Sequence, residues 1–174
     1  SGNRTKDTQA FKRLDIEAAK LGSQRIIAKR GMRLLLDEED TVYLDVLYPD
    51  KDVSQVESNE ASIVMRLTYG ATHFIFSGDA PRDVEQHLTQ LDGNNLQSDV
   101  LKAGHHGSHT SSDLAYVTKV HPTFTVISVG KDNRYGHPHK ETLATFNALN
   151  IETLRTDTMG RIEIDSDGEK VLLK

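Results

Sequence analysis

Apolar and polar positions follow two different patterns along the chain, and the pattern changes close to residue 80. Before that point, short runs in which apolar and polar residues alternate predict β-strands. Beyond it, short apolar runs take turns with stretches whose apolar residues recur with helical spacing. Strands followed by strand–helix alternation predict sheets covered by helices, in an α/β or α+β sandwich.

One helix and five strands are predicted before residue 80. The spacing of Phe11, Leu14 and Ala18 indicates a helix over residues 5–21, and Gly22 ends it. Strands are predicted at residues 25–28, 32–36, 41–48, 62–69 and 72–76.

Helices and strands alternate beyond residue 80. Pro81 suits the first turn of a helix, and Val84, Leu88 and Leu91 continue that helix with the right period. Further helices are predicted at residues 112–120 and 141–149, and strands at 99–103, 123–130, 151–155, 161–164 and 171–173.

Length and composition narrow the class of protein. The chain has 174 residues, which is typical of one compact domain. It contains no cysteine, and this excludes a disulfide framework, a cysteine zinc cluster and a cysteine nucleophile. No apolar run is long enough to cross a bilayer, and the opening lacks the pattern of a signal peptide. We therefore expect a folded domain with neither a membrane span nor a targeting segment.

Charge is distributed unevenly, although the overall net charge is only −5. Residues 1–33 carry nine Lys or Arg against three Asp or Glu, whereas residues 34–60 carry nine acidic residues against Lys51. The basic opening suits either contact with phosphate or a solvated helix face. The overall balance excludes a strongly cationic coat for nucleic acid.

Three segments place potential metal ligands directly after a predicted strand. Asp79 follows the strand at 72–76, the pair His105 and His106 follows that at 99–103, and His137 follows that at 123–130. Because the carboxyl ends of parallel strands share one edge of a sheet, these side chains are expected to lie together. A carboxylate and several imidazoles at one edge are typical of a divalent-metal site. The alternatives are a helix cap for Asp79 and turn positions for the histidines.

A second group of polar residues lies beside these segments. Lys102 precedes the histidine pair, and its ammonium suits a phosphate or a leaving group. Ser108, Asn133 and Arg134 lie in the adjoining loops and are candidate substrate-binding residues, Arg134 through a bidentate phosphate contact. The histidines that match no such pattern, which we interpret as structural or surface residues, are His73, His87 and His121.

Three stretches of the chain resemble a known family. They are SNEASIVMRLTYGATHFIFSGDAPRDVEQHL, SDVLKAGHHGSHTSS and FTVISVGKDNRYGHPHKETL. These stretches look like the C-terminal metallo-β-lactamase-like domain of ComEC-type DNA-internalisation competence proteins. HHGS alone occurs in many relatives of that superfamily, whereas its combination with SVGKDNRYGHPH is specific.

The resemblance implies an αββα sandwich with a hydrolytic site for one or two metal ions, Mn²⁺ or Zn²⁺. Asp79 matches the aspartate that bridges two metals. Either His137 or the pair His105 and His106 matches the last histidine ligand, and the order of elements favours His137. His105, His106 and Lys102 would then act on the phosphate as catalytic groups. The implied reaction is metal-dependent hydrolysis of incoming single-stranded DNA.

The chain departs from this family in one respect. The His-x-His-x-Asp-His string, which supplies most ligands of the superfamily, does not occur. Residues 1–174 are therefore expected to form one partial domain, incomplete at its N-terminal side and inactive alone. The expected parent is a bacterial membrane protein whose channel portion accompanies this soluble domain at the extracytoplasmic face. The alternatives are a phosphorylcholine-esterase-like phosphodiesterase and a non-catalytic domain that guides DNA.

Overall fold

A seven-stranded sheet organises the structure, a computed structural model that describes residues 9–39 and 41–174. The strands of this sheet lie side by side in chain order. They are β1 (Arg33–Asp37), β2 (Val42–Tyr48), β3 (Val64–Tyr69), β4 (Thr72–Phe76), β5 (Val100–Lys102), β6 (Phe124–Ile127) and β7 (Glu152–Arg155). Neighbours are antiparallel from β1 to β4 and parallel from β4 to β7.

Helices follow the parallel strands, as the strand–helix alternation predicted. The described helices are α1 (Gln9–Lys20), α2 (Arg82–Asp92), α3 (Leu114–Val120), α4 (Lys140–Ala148) and α5 (Thr156–Met159). A two-stranded hairpin of β8 (Ile164–Ser166) and β9 (Val171–Leu173) ends the chain. The architecture is a mixed α/β fold, in agreement with the predicted class.

One face of the sheet, which we term the covered face, packs against the helices. Ile75 and Leu101 project from neighbouring positions of β4 and β5, and both are buried in the main hydrophobic cluster. Leu88 of α2, Val117 of α3 and Phe146 of α4 belong to the same cluster and are fully buried. The apolar stripes of these helices thus pack against alternate residues of the strands.

The opposite face, which we term the open face, carries Phe74, Phe76 and Val126. These side chains line an apolar cavity of about 450 Å³, and Phe76 is 39% exposed. The terminal hairpin reaches the border of this face, where Ser166 Oγ lies 2.7 Å from Thr72 Oγ1. Apolar residues therefore occupy both faces of the central strands, whereas α2, α3 and α4 all pack on the covered face.

Most predicted elements agree with the structure to within a few residues, but two differences are informative. The strand predicted at 25–28 is wrong: Ile26 is 64% exposed, and Arg25 instead stacks on Phe11 and pairs with Asp15. The apolar pair Ile26 and Ile27 favours a strand locally, but residues 25–28 form no ladder with a described strand, and local propensity alone does not make a strand. Helix α5 was not predicted. Residues 5–8 of the first predicted helix lie outside the described part of the chain.

None of the helices in residues 9–39 and 41–174 combines the length and the apolar character that crossing a membrane requires.

Candidate functional site

The three predicted site segments meet at one edge of the sheet. Because β4, β5 and β6 are parallel, the loops that follow them leave the sheet on the same side. We term this edge, formed by residues 77–79, 104–109 and 128–139, the rim. The positions of Asp79, the histidine pair and His137 on one rim agree with the expectation from strand order.

Asp79 ends the loop after β4 and does not cap the following helix. The backbone N–H of Asp79 donates to Ser62 Oγ at 3.2 Å, and Pro81 occupies the cap position of α2 without a side-chain cap bond. The Asp79 carboxylate is 43% exposed. It is therefore available to a ligand, and the helix-cap alternative has no support in these contacts.

The histidine pair is held in an uncommon backbone conformation. His105 and His106 have φ angles of 46° and 56°, in the left-handed region that side chains with a Cβ rarely adopt. The N–H of His105 donates to the carbonyl of Gly78 at 3.0 Å, which ties this loop to the Asp79 turn. Strained residues of this kind persist where the surrounding structure holds them, and they cluster at functional sites.

His106 is the imidazole that contacts Asp79. Its Nδ1 lies 2.6 Å from the carbonyl oxygen of Ser128, so that Nδ1–H is the donor, and its Nε2 lies 3.6 Å from Asp79 Oδ1. The hydrogen bond from Nδ1–H to this carbonyl turns Nε2 toward the carboxylate. Metal-ligating histidines are commonly oriented in this way, by donation from the other ring nitrogen to a carbonyl.

The side chain of Asn133 holds the loop that carries His137 through two hydrogen bonds. The N–H of His137 donates to Asn133 Oδ1 at 2.9 Å, and Asn133 Nδ2 donates to the His137 carbonyl at 2.7 Å. This loop packs closely on the histidine-pair loop, since a Cβ on Gly107 would lie 2.7 Å from Pro138 Cβ. Asn133, predicted as a substrate-binding residue, has its side chain engaged in these loop bonds.

Imidazoles form a row along the rim. The ring of His137 lies 5.6 Å from that of His105 and 4.8 Å from that of His139, and His109 lies 4.6 Å beyond His139. Burial is the first cause that lowers the pKa of His137, and the positive charge of the neighbouring imidazoles, His139 foremost, lowers it further. His137 is therefore held toward the neutral form, which is the form that binds metals or accepts a proton.

Lys102 reaches the rim from the open face of the sheet. Its Nζ donates to the carbonyl of Ala103 at 2.9 Å, and its side chain lines the apolar cavity. Burial lowers the pKa of this ammonium, while the negative charge of Asp79 acts in the opposite direction. The contact with Asp79 is thus electrostatic, and Lys102 adds a partly desolvated positive charge beside the carboxylate.

The other predicted substrate-binding residues lie at the periphery of the rim. Ser108 is buried, and its hydroxyl accepts from the N–H of Thr110 at 3.2 Å, which makes it part of the loop rather than a free donor. Arg134 is exposed, and its Nη2 donates to the hydroxyl of Tyr135 at 3.0 Å. The ring of Tyr135, which stacks on His137, borders a cavity of about 450 Å³ on this side, and Arg134 is not among the residues that line it.

The donors on the rim fit part of a metal site. Two ligands bound at about 2.1 Å to one ion lie within about 4.2 Å of each other, and the 3.6 Å between His106 Nε2 and Asp79 Oδ1 satisfies this limit. In the portion of the chain that the structure describes, no three His, Asp or Glu side chains stand together to hold one ion. The rim therefore offers an imidazole–carboxylate pair rather than a full set of ligands.

Three residues that support the rim were missed by sequence reasoning. Ser62 holds the Asp79 backbone, the carbonyl of Ser128 orients His106, and buried Glu85 accepts from the N–H groups of Ser112 and Asp113 at 3.0 and 2.8 Å. A backbone carbonyl leaves no signature in a sequence. Glu85 did leave one, because a carboxylate beside Val84 and one turn before Leu88 lies on the apolar stripe of its helix.

Comparison with known proteins gives a consistent set of relatives. The chain is 37% identical over 135 residues to ComE operon protein 3 of Bacillus subtilis (strain 168), which covers 78% of this chain and 17% of that protein. It is 35% identical over 124 residues to Competence protein ComA of Neisseria gonorrhoeae, with 71% and 18% covered. It is 24% identical over 124 residues to Recombination protein 2 of Haemophilus influenzae, with 71% and 15% covered. No family model matches the chain. The chain spans less than a fifth of the length of these relatives.

Proposed function

Because about three quarters of the chain is homologous to a segment of larger competence proteins, we propose that it is the hydrolytic part of a DNA-uptake protein. The reaction is metal-dependent hydrolysis of the phosphodiester bonds of incoming single-stranded DNA. The observation that carries this proposal is the approach of His106 Nε2 to Asp79 Oδ1 at the shared end of two parallel strands.

In this proposal the chain contributes one part of a domain with the metallo-β-lactamase-like αββα architecture. An αββα sandwich packs two sheets face to face, with helices outside. The helices on the covered face and the apolar cavity on the open face are what one half of such a sandwich presents. The second layer would then bury Phe74 and Phe76, and it would supply the remaining ligands.

Asp79 and His106 are the residues of this chain that hold a divalent metal, Mn²⁺ or Zn²⁺, in this proposal. Such a metal lowers the pKa of a bound water and neutralises charge on the scissile phosphate. Asp79 supplies carboxylate oxygens as ligands. The hydrogen bond from His106 Nδ1–H to the Ser128 carbonyl leaves Nε2 as the nitrogen that would bind the metal. The short separation of this pair favours His106 over His137 as the imidazole beside the carboxylate, in contrast to the order of elements.

The remaining rim residues act on the phosphate. The ring centroids of His137 and His105 lie 5.6 Å apart on the rim, where one of these imidazoles can transfer a proton to the leaving oxygen. Lys102 places its ammonium beside Asp79 and stabilises charge that develops on the phosphate. Arg134 and the loop that Ser108 and Asn133 hold in shape provide contacts for the neighbouring DNA backbone.

The test is DNA cleavage by a version of the protein extended to the length of its relatives, with and without Mn²⁺. Asp79→Ala and His106→Ala are expected to lower the rate at least about 100-fold. His137→Ala is expected to lower kcat with a smaller loss of metal affinity, because it acts on the phosphate. His87→Gln is the matched control, since His87 pairs with Asp50 away from the rim. Unchanged cleavage in the Asp79 and His106 variants would overturn the proposal.

The same experiment separates two other functions. Cleavage of a small phosphodiester without cleavage of DNA would assign the site to a small-molecule phosphodiesterase. DNA binding that needs no metal, falls steeply with salt and brings no cleavage would assign a guiding role. The second alternative has one observation in its favour, namely that the described residues bring together two metal-binding side chains rather than three.

The partners follow from the length of the relatives. The chain spans 17% and 18% of the first two, which leaves room for further portions, and the proposed partner is one that forms a membrane channel for the DNA. The present chain is then the domain that meets DNA at the extracytoplasmic face. Cleavage of externally added DNA by intact cells, lost in the Asp79→Ala variant, would test this placement.

A further inference from the structure

A second polar cavity lies at the edge of the sheet opposite the rim. Ala71, Asp99 and Thr123 directly precede the parallel strands β4, β5 and β6, and they line a cavity of about 590 Å³. A space of this size is within the range of small-molecule and nucleotide sites. Its lining is almost wholly polar, and none of its residues belongs to the rim.

The central residue of this cavity is Arg66 of β3. Its Nη2 donates to the carbonyl of Gln97 at 3.0 Å and its Nε to Ser98 Oγ at 3.4 Å. Both hydrogen-bond partners are neutral; burial lowers the pKa of Arg66, and the charges of Tyr43, Asp45 and Asp99 act in the opposite direction. A partly buried cation is costly unless a negative group meets it. Nη1 donates to no described residue and remains available for an anionic ligand.

His73 and His121, two of the histidines that matched no site pattern in the sequence, line the same cavity as this arginine. His73 Nδ1 lies 3.2 Å from Thr68 Oγ1, which leaves its Nε2 without a described partner, and His121 is exposed where α3 ends. Lys119, in the last turn of α3, donates to Asn94 Oδ1 at 3.0 Å beside the cavity. Nitrogen donors from strand β4 and from the end of α3 thus lie in or beside this cavity.

The cavity also contains acceptors, and these argue against a bare anion. The Asp99 carboxylate accepts from the N–H of His73 at 2.8 Å, and the side chains of Asn95 and Gln97 stand beside it. A carboxylate repels free phosphate but accepts a hydrogen bond from the amino group of cytosine, while amides pair with adenine. A ligand with both a phosphate and a base satisfies donors and acceptors together.

We propose that this cavity binds one nucleotide of a nucleic-acid strand, with its phosphate on Arg66 and His121 and its base toward Asp99 and Gln97. This inference rests on the proposed function only in taking DNA as the ligand, because the two sites share no residue. A strand bound at both edges would be held across the sheet, so this cavity would position DNA rather than cleave it.

The test is titration of the present chain with deoxycytidine monophosphate, followed through the imidazole signals in NMR spectra. Binding is expected to shift the signals of His73 and His121 and to leave those of His105, His106 and His137 in place. Inorganic phosphate and deoxycytidine are titrated separately, and each is expected to bind at least about tenfold more weakly than the nucleotide.

Arg66→Gln is expected to weaken binding of the nucleotide at least about tenfold, because a charged hydrogen bond to phosphate is lost. His121→Asn is a second variant that suits the left-handed backbone at φ 48° and is expected to weaken binding by a smaller factor. Arg161→Gln is the matched control, since Arg161 is exposed and pairs with Glu163 outside the cavity.

The outcomes separate the two proposals. Nucleotide binding that persists in Asp79→Ala supports this cavity as an independent site, whether or not that variant still cleaves DNA. Shifts confined to the rim histidines, equal binding by Arg66→Gln and Arg161→Gln, or no shift at 10 mM nucleotide (on the order of the weakest useful affinity) would overturn the inference. Inorganic phosphate that binds as tightly as the nucleotide would also overturn it, because the base contacts would then add nothing.

Discussion

Ile75 and Phe76 are neighbours on β4, yet one is fully buried and the other is 39% exposed. Ile75 belongs to the covered face, where residues of three helices close over it. Phe76 belongs to the open face and lines an apolar cavity together with Phe74. Two faces of the same strand thus have similar side chains and very different surroundings.

The difference shows what each face contributes. Strands that are apolar on both faces are typical of sheets buried on both sides. Burial on the covered face removes apolar area from water at about 25 cal/mol per Å², whereas the open face leaves part of that free energy unrealised. We therefore expect the covered face to hold most of the stability, while the open face tolerates change and binds apolar probes.

The largest expected effect contrasts two phenylalanines. Phe146→Ala empties a fully buried position of α4 and is expected to lower the free energy of unfolding by about 3–5 kcal/mol. Phe76→Ala, its counterpart on the open face, is expected to lower it by less than about 1 kcal/mol. Urea denaturation followed by circular dichroism measures both. Similar losses in the two variants would contradict the contrast between the faces.

The second effect is a pH dependence of stability, which arises from Glu85, a buried residue of α2. Burial raises the pKa of Glu85 to about 7, against the two backbone N–H groups that favour its ionised form. Because the folded state binds this proton more tightly than the unfolded state, stability from this group is present below about pH 4.5 and is lost as pH rises to about 7.

Glu85→Gln removes the ionisable group and so isolates its contribution to the free energy of unfolding. The unfolding free energy of the wild type relative to Glu85→Gln is expected to fall by about 3 kcal/mol between pH 4 and pH 8. The measurement is urea denaturation of both proteins across that range. A difference that stays constant with pH would show that Glu85 is not desolvated, and that the loop above it is open to water.

A smaller effect concerns the first turn of α3 on the covered face. Asp113 Oδ1 accepts from the N–H of Ala115 at 3.0 Å, as a helix cap does. Asp113→Ala is expected to cost about 1 kcal/mol of stability. Asp165→Ala breaks an exposed ion pair with Lys174 on the terminal hairpin and is expected to cost less than about 0.5 kcal/mol. Thermal unfolding ranks the two, and the reverse order would be inconsistent with a packed helix start.

The last prediction concerns binding of a hydrophobic dye to the open face, where the expected change in stability is smallest. Phe76→Lys places a charge on the open face and is expected to reduce the fluorescence of a bound hydrophobic dye, with little change in unfolding free energy. Leu91→Lys is the matched control, because Leu91 is an exposed residue of α2. Equal loss of dye binding in both variants would mean that the open face is not the principal apolar surface.

Regular elements and their order were predictable from local pattern. The hairpin of β3 and β4, the helix after Pro81 and the strand before His105 all follow from hydrophobic periods and turn residues. The shared rim of Asp79, His105 and His137 was predictable as well, because parallel strands bring their carboxyl ends together. The predicted strand at 25–28 failed because local propensity alone does not make a strand, and this segment forms no ladder with a described strand.

Pair contacts were decided by the tertiary structure. His106, rather than His137, approaches Asp79 because the left-handed turn at residues 105 and 106 and the carbonyl of Ser128 direct its ring. Arg66, His73 and His121 are far apart in the sequence and carry no shared motif, yet β3, β4 and α3 bring them to one cavity.

The sequence by itself therefore determined most of the elements, their order, and which residue types stand at strand ends, since these depend on local propensity and period. Only the tertiary structure decided which imidazole faces the carboxylate, which face of the sheet is covered and which residues share a cavity with Arg66. Those outcomes depend on backbone turns and on packing between distant segments, and side-chain spacing along a chain does not record either.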